Sequence, residues 1–256
     1  MTDTSILQIH REKGVEYLTL NRPDVRNALN QSLIAQLSAW AARVGNDQEL
    51  RAVVLTGAGP VFCAGADISW MAEMVEYSQE ENIRDATATA RLFQSLDKLP
   101  VPLIVRIHGA ALGGGLGLAA VADIVVAAND AKFGFTEVKL GLLPATIAPY
   151  VMAKIGRSAS RELFLTGRRF TAKEAHQIGL VHAVVAADQL DATVAKYVEE
   201  ILGGGHEAIA ASKALIRRIC ECSPDEAMRL SIAAIADRRV SAEAQERMKA
   251  FLNKKR

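Results

Sequence analysis

The chain has 256 residues, half of them hydrophobic, enough for one large domain or two small ones with a sizeable core. Its 30 Lys+Arg nearly balance 29 Asp+Glu, leaving a formal net charge of +1. That balance gives no support to nucleic acid, a membrane surface or an acidic tail as partner, and three cysteines without CxxC spacing (Cys63, Cys220, Cys222) argue against a disulfide framework and a structural zinc site.

The opening "MTDTSILQIHREKG" has no long apolar run or cleavage-like site, and Asp123 interrupts the longest apolar stretch well short of a membrane span. A soluble cytoplasmic protein is expected. "ILQIH" and "VEYLTLN" read as a strand pair turning at Lys13-Gly14. "NALNQSLIAQLSAWAARVGND" is amphipathic through Leu29, Leu33, Leu37 and Val44 and stops at Gly45-Asn46-Asp47. The strand "RAVVLTG", the helix "SQEENIRDATATARLFQSLDKL" and the strand "LIVRI" follow, then a glycine run, a short helix, the strand "DIVVAA" and a shorter strand over 132–135. The remainder reads as successive helices, "SASRELFLTG", "TAKEAHQIG", "AADQLDATVAKYVEEILG", "EAIAASKALIRRIC" and "SPDEAMRLSIAAIADRR", with "LVHAVV" the one strand among them. This order predicts an α/β core with a helical appendage. The terminal "NKKR" is the only dense basic run and reads as a solvated end.

Gly113-Gly114-Gly115 interrupt an apolar segment, although each glycine inside an element costs roughly 0.5–1 kcal/mol relative to Ala. The run from Gly115 to Ala120 fits G-x-G-x-x-A, but Asp123 and a strand follow too soon for the ~10–12 residues of a parallel crossover, which argues against a dinucleotide site. Tight helix packing accounts for Gly115 and Gly117 more readily than for three glycines in succession. A loop whose free N–H groups lead into a helix N-terminus suits developing negative charge. "TGAGPVFCAGADISWM" is a second glycine- and alanine-rich strand exit, with Asp67 at a position for a helix cap. Two such exits in one sheet are expected to be able to supply one N–H each to a single oxygen. Glu137, in the largely apolar "FGFTEVKLGLLPA", has the setting that raises a carboxyl pKa towards a proton-shuttling range. The bland alternative is a surface glutamate paired with Lys139. No G-x-S-x-G or H-E-x-x-H occurs, and the scattered histidines read as structural.

Together "LTLNRPDVRNALN", "GPVFCAGADISWM", "HGAALGGGLGL", "DAKFGFTEVKLGLLP", "LTGRRFTAKEAHQIGLVHAVV" and "AFLNKK" resemble, in order and over essentially the whole chain, the crotonase superfamily of enoyl-CoA hydratases and isomerases. The resemblance implies a spiral of ββα units carrying the site over residues 1–195. It also implies a C-terminal helical region over 196–256 that assembles a homotrimer, often doubled to a hexamer. It implies an acyl-CoA thioester as substrate, coenzyme A being part of that substrate rather than a cofactor. The N–H groups of Ala66 and Gly114 match the family's oxyanion hole, in which each donor is typically worth ~2.7–4 kcal/mol of barrier. Val25, Arg26, Ala28, Ala64, Ala66, Asp67, Ile68, Gly113 and Gly114 match positions that line the CoA ester, and Phe251 and Lys254 match residues lent by a neighbouring subunit. Glu137 matches the second of the two glutamates of ordinary hydratases, whereas Gly117 stands where the first is expected.

Segments such as "TEVKLGLLPATIAPYV" are most similar to bacterial methylglutaconyl-CoA hydratases of leucine breakdown, which implies a branched, carboxylated enoyl-CoA. Arg22, Arg26, Lys139 and Arg168 are the cations available to its carboxylate. A double-bond isomerase working with one glutamate, and a non-catalytic CoA- or RNA-binding member, are the other readings. The near-neutral charge disfavours RNA.

Overall fold

The structure, a computed structural model, describes residues 5–45, 47–220 and 222–254, the side chain of Lys254 excepted. Strands β1 (Leu7–Glu12) and β2 (Val15–Leu20) pair antiparallel through the predicted turn, where Lys13 and Gly14 both take positive φ, the pattern that matches a two-residue hairpin to strand twist. Strand β3 (Ala52–Gly57) lies parallel to β2, and β4 (Leu103–Ile107) parallel to β3. Their near-continuous apolar sequences are those of strands buried on both faces. Helix α1 (Gln31–Val44) starts at Asn30, whose side chain accepts the Leu33 N–H, and buries Leu33, Leu37, Trp40 and Val44. A short α2 (Ile68–Met74) follows β3, and α3 (Gln79–Asp97) opens with a Ser78–Glu81 capping box and packs on α1.

After β4 the chain makes β5 (Ala110–Leu112) and α4 (Gly114–Val121); after β6 (Ile124–Ala128) it makes β7 (Lys132–Gly134) and α5 (Ala148–Thr166). Each repeat thus puts one strand in the main sheet, one in a smaller sheet and a helix behind. With β8 (Arg169–Thr171), α6 (Ala172–Gln177) and β9 (Ala183–Val185), the main sheet runs β1-β2-β3-β4-β6-β9 and the smaller β5-β7-β8. Helices α7 (Leu190–Gly203), α8 (His206–Ile219), α9 (Pro224–Val240) and α10 (Ala242–Lys254) complete the chain.

Several expectations need correction. β8 is a further strand in the region expected to hold one, because three residues qualify as strand only through pairing with β7. The predicted helix at 158–167 is the second half of α5, which breaks at Gly156 (φ 73°, ψ 169°). A parallel crossover between β4 and β6 does exist: it occupies residues 108–123, its length supplied upstream of the glycines by β5, so the argument from missing room fails. The glycines instead follow a strand of the smaller sheet. The expected division at 195/196 falls inside α7, which buries Leu190, Val194 and Val198 and packs on β6, and Gly204 and Gly205 link α7 to α8. Asn46, in the predicted turn, lies outside the described residues.

Candidate active site

Three segments leave the sheets side by side. Cys63 forms a parallel bridge with Ala111, donating its N–H to Ala110 O (3.1 Å) and accepting from Leu112 N–H (3.0 Å). Ala111 is paired in parallel with Phe133. Two residues beyond that level pair Gly65 approaches Gly113, with Ala66 and Gly114 the next residues along, and Glu137 lies just past the end of the third segment. On its other side Ala66 bridges Leu29, which donates its N–H to Gly65 O (2.7 Å) and accepts from Asp67 N–H (2.9 Å). Alternation along an extended chain therefore turns the N–H of Ala66 away from Leu29, towards the glycines. The approach is close: a Cβ on Gly65 would lie 3.1 Å from Leu112 O and 3.8 Å from the Gly113 Cα. Gly113 has φ +47°, ψ −117°, a conformation that favours glycine, and turns the chain directly into α4. Gly114 is the first residue of that helix, where N–H groups lack helical acceptors. Among the described residues, neither the Ala66 nor the Gly114 N–H is donated to a protein acceptor.

Glu137 begins a 3-10 turn over Glu137–Leu140. A Cβ on Gly113 would sit 3.2 Å from Glu137 Oε1, so the carboxylate borders the same gap. Its Oε2 is shut from solvent without a hydrogen-bond partner, and among the described residues the side chain has no ion pair with Lys139 or any other cation. Burial pushes its pKa above the ordinary carboxylate value, opposed in part by its own backbone N–H. A carboxylate without a counter-ion thus borders the turn that presents the free Gly114 N–H.

The other predicted positions divide. Ala64 and Ala66 lie on the middle segment, with Ala66 exposed; Ile68 is 84 % exposed on α2. Val25 and Arg26 are exposed at the end of a 3-10 turn, and Ala28 is buried beside them. Asp67 is not open side-chain surface: it caps α2 through Ser69 N–H (2.9 Å) and accepts from Arg22 Nη2 (2.7 Å). Burial works against its ionisation, but Arg22 and the helix-start N–H groups hold its pKa below the usual value. Phe251 is exposed on α10, while the Lys254 side chain lies outside the described residues. Of the cations considered for a substrate carboxylate, Arg22 is engaged by Asp67 and Arg168 by Glu162 and Glu174. Arg26 and Lys139 make no ion pair among the described residues.

Sequence reasoning missed what surrounds the glycines. A Cβ on Gly115 would lie 2.7 Å from Cys63 O, and one on Gly114 2.8 Å from Leu29 Cδ1. On Gly117 it would clash with Ile147 Cγ2 and come within 2.7 Å of the Phe93 ring. The wall where a second carboxylate was expected is apolar and already filled. Tight packing therefore accounts for Gly114, Gly115 and Gly117 separately. No local signal links Phe93 and Ile147 to Gly117.

The model of the family described as enoyl-CoA hydratase/isomerase matches residues 10–256. A short-chain-enoyl-CoA hydratase of Clostridium acetobutylicum is 33% identical over 250 residues, 97% of this chain and 95% of its own length. Among solved structures, Pseudomonas aeruginosa AtuE superposes with a TM-score of 0.95 at 37% identity, covering 98% of this chain and 97% of its own. An enoyl-CoA hydratase from Shewanella pealeana gives 0.94 at 34% identity, covering 98% and 95%.

Proposed function

The chain belongs to the enoyl-CoA hydratase/isomerase family, and from that premise we propose that it adds water to an enoyl-CoA thioester using Glu137 as its single carboxylate, with branched, carboxylated 3-methylglutaconyl-CoA as substrate. The observation that carries this reading is the buried, unpartnered Glu137 Oε2 beside the turn that presents the free Gly114 N–H.

The thioester oxygen accepts from the Ala66 and Gly114 N–H groups, so electron density leaving the double bond is stabilised there as an enolate. Glu137 takes a proton from water as the water oxygen bonds to the β-carbon. The enolate then collapses and its α-carbon takes that proton back from Glu137. The two C–H and C–O bonds formed account for one water, and no separate cofactor enters. The absence of ionic partners keeps Glu137 able to alternate between both forms. Val25, Arg26, Ala28, Ala64 and Ile68 line the CoA moiety, and Lys139, lacking an ion pair among the described residues, supplies charge for the distal carboxylate.

The exposed Ile216, Met228, Ile232, Ile235 and Leu252 on α8–α10 support assembly into a trimer or hexamer through this region, bringing a neighbour's Phe251 and Lys254 to the CoA. Among the described residues, no helix is long and apolar enough to cross a membrane.

The apolar wall behind Gly117 favours a second reading, a double-bond isomerase in which Glu137 removes a proton at one carbon and returns it at another. Incubation with 3-methylglutaconyl-CoA and with a 3-enoyl-CoA separates the two. Hydration of the former is expected; bond migration in the latter without hydration of the former contradicts the proposal.

A further inference from the structure

We infer that Asn27 is a positioning residue for the Ala66 donor, acting through the backbone; the inference rests on the oxyanion role proposed for Ala66. Asn27 is fully buried, with an exposure of 0%. Its Oδ1 accepts the Arg22 N–H (2.9 Å), and its Nδ2 donates to Ala58 O (2.7 Å) and Val61 O (2.8 Å). One amide therefore ties the exit of β2 to both ends of the turn that follows β3. A Cβ on Gly57 would come within 2.7 Å of that Nδ2, so the neighbouring strand end leaves room for it.

The backbone at this point is strained. Arg26 and Asn27 both have φ 55°, two successive non-glycine residues in the left-handed region, a conformation that persists only where surrounding structure imposes it. The turn it produces serves the site. Arg26 O accepts Ala64 N–H (3.0 Å), and Leu29, two residues past Asn27, makes the bridge that turns the Ala66 N–H towards Gly114. Segment 26–29 is thus a template against which residues 64–67 are laid, and Asn27 holds the template in its strained form. Asn27 touches neither of the two candidate donors and lies behind them.

The test uses the full-length protein and the substitution N27G, because glycine keeps the left-handed conformation without strain while the side chain and its three hydrogen bonds are removed. A donor needed chiefly in the transition state affects kcat more than KM, and a misplacement near 1 Å costs on the order of 100-fold. We expect kcat to fall about 10–100-fold with KM nearly unchanged. Acetoacetyl-CoA bound to N27G should ionise to its ultraviolet-absorbing enolate about 1–2 pH units higher than on wild type, the same ratio read as an equilibrium.

Unchanged kcat and an unchanged enolate titration would overturn the inference, as would a rise in KM alone. If N27G does not fold, N27D keeps the shape and the acceptor for Arg22 N–H while losing the amide donors. Its activity relative to wild type should rise on acidification, as the carboxyl regains one O–H donor; a pH-independent ratio of one contradicts the assignment. A wild-type protein that binds acetoacetyl-CoA without promoting its ionisation removes the oxyanion reading itself, and this inference with it.

Discussion

Glu16 is buried and Glu137 half-buried with one oxygen shut from water, and the protein treats the two carboxylates in opposite ways. Glu16, on β2, is 2% exposed, and its oxygens accept from Trp40 Nε1 (2.6 Å) and Arg43 Nη2 (2.9 Å). Glu137 has one oxygen with neither donor nor cation. Burying a polar atom without a partner costs ~1–3 kcal/mol, and a fold that satisfies Glu16 so fully has no general difficulty in supplying partners. The difference separates a group that holds α1 against the sheet from one that no contact holds, as the proposed proton exchange requires.

The largest effect should come from E137Q. Removing a general acid–base group typically costs 10²–10⁴-fold in rate, so kcat should fall about 100-fold or more while CoA-ester binding persists. Because burial raises the pKa of Glu137 in the folded protein, its favourable contribution is present below the ordinary value of 4.5 and is lost as pH rises through the raised value. E137Q should therefore melt higher than wild type at neutral pH, with the gap closing as pH falls towards 4.5. An activity loss accompanied by a lower melting temperature at neutral pH would mean that Glu137 is structural, like Glu16. For the wild type, the acid limb of kcat/KM should lie above the ordinary carboxylate range; a midpoint at or below 4.5 would contradict the raised pKa.

The isolation of Glu137 can be probed through Gly117. Phe93 and Ile147 leave no space for a Cβ there, and overpacking of this kind costs about 1–3 kcal/mol. G117A should melt lower by about 2–4 °C for each kcal/mol lost. An unchanged melting temperature would mean that the wall yields and a second side chain could be accommodated. The smallest effect belongs to E16Q. The amide oxygen still serves Trp40, but the charge facing Arg43 and Arg11 is lost, so a loss of about 1–2 kcal/mol in stability is expected, with kcat/KM unchanged.

Much of this was legible in the sequence for physical reasons that differ along the chain. The β1–β2 hairpin, α1 and α3 carry their own signals: the Lys13-Gly14 turn, an amphipathic stripe and a Ser-x-x-Glu cap. The glycine-rich exits and Glu137 stood out because bare backbone and a lone acid are rare in apolar segments. What could not be read is set by distant pairing. β5 and β8 are three residues each and exist through their neighbours. The approach of Gly65 to Gly113, just before Ala66 and Gly114, follows a bridge between Cys63 and Ala111, far apart in sequence. Arg22 looked like a free cation until the fold placed Asp67 against it. Asn27 lay inside a quoted motif, yet its work is done on carbonyls more than thirty residues away.

The central claim is that two backbone amides from separate turns hold one thioester oxygen beside a solitary carboxylate. The most direct measurement is a crystal structure of the E137Q protein with an unreacted enoyl-CoA ester bound. The account predicts the thioester oxygen about 2.7–3.1 Å from both the Ala66 and Gly114 nitrogens, with the side chain of residue 137 against the double bond. A thioester oxygen held elsewhere, or a double bond on the far side of α4 from residue 137, would contradict it.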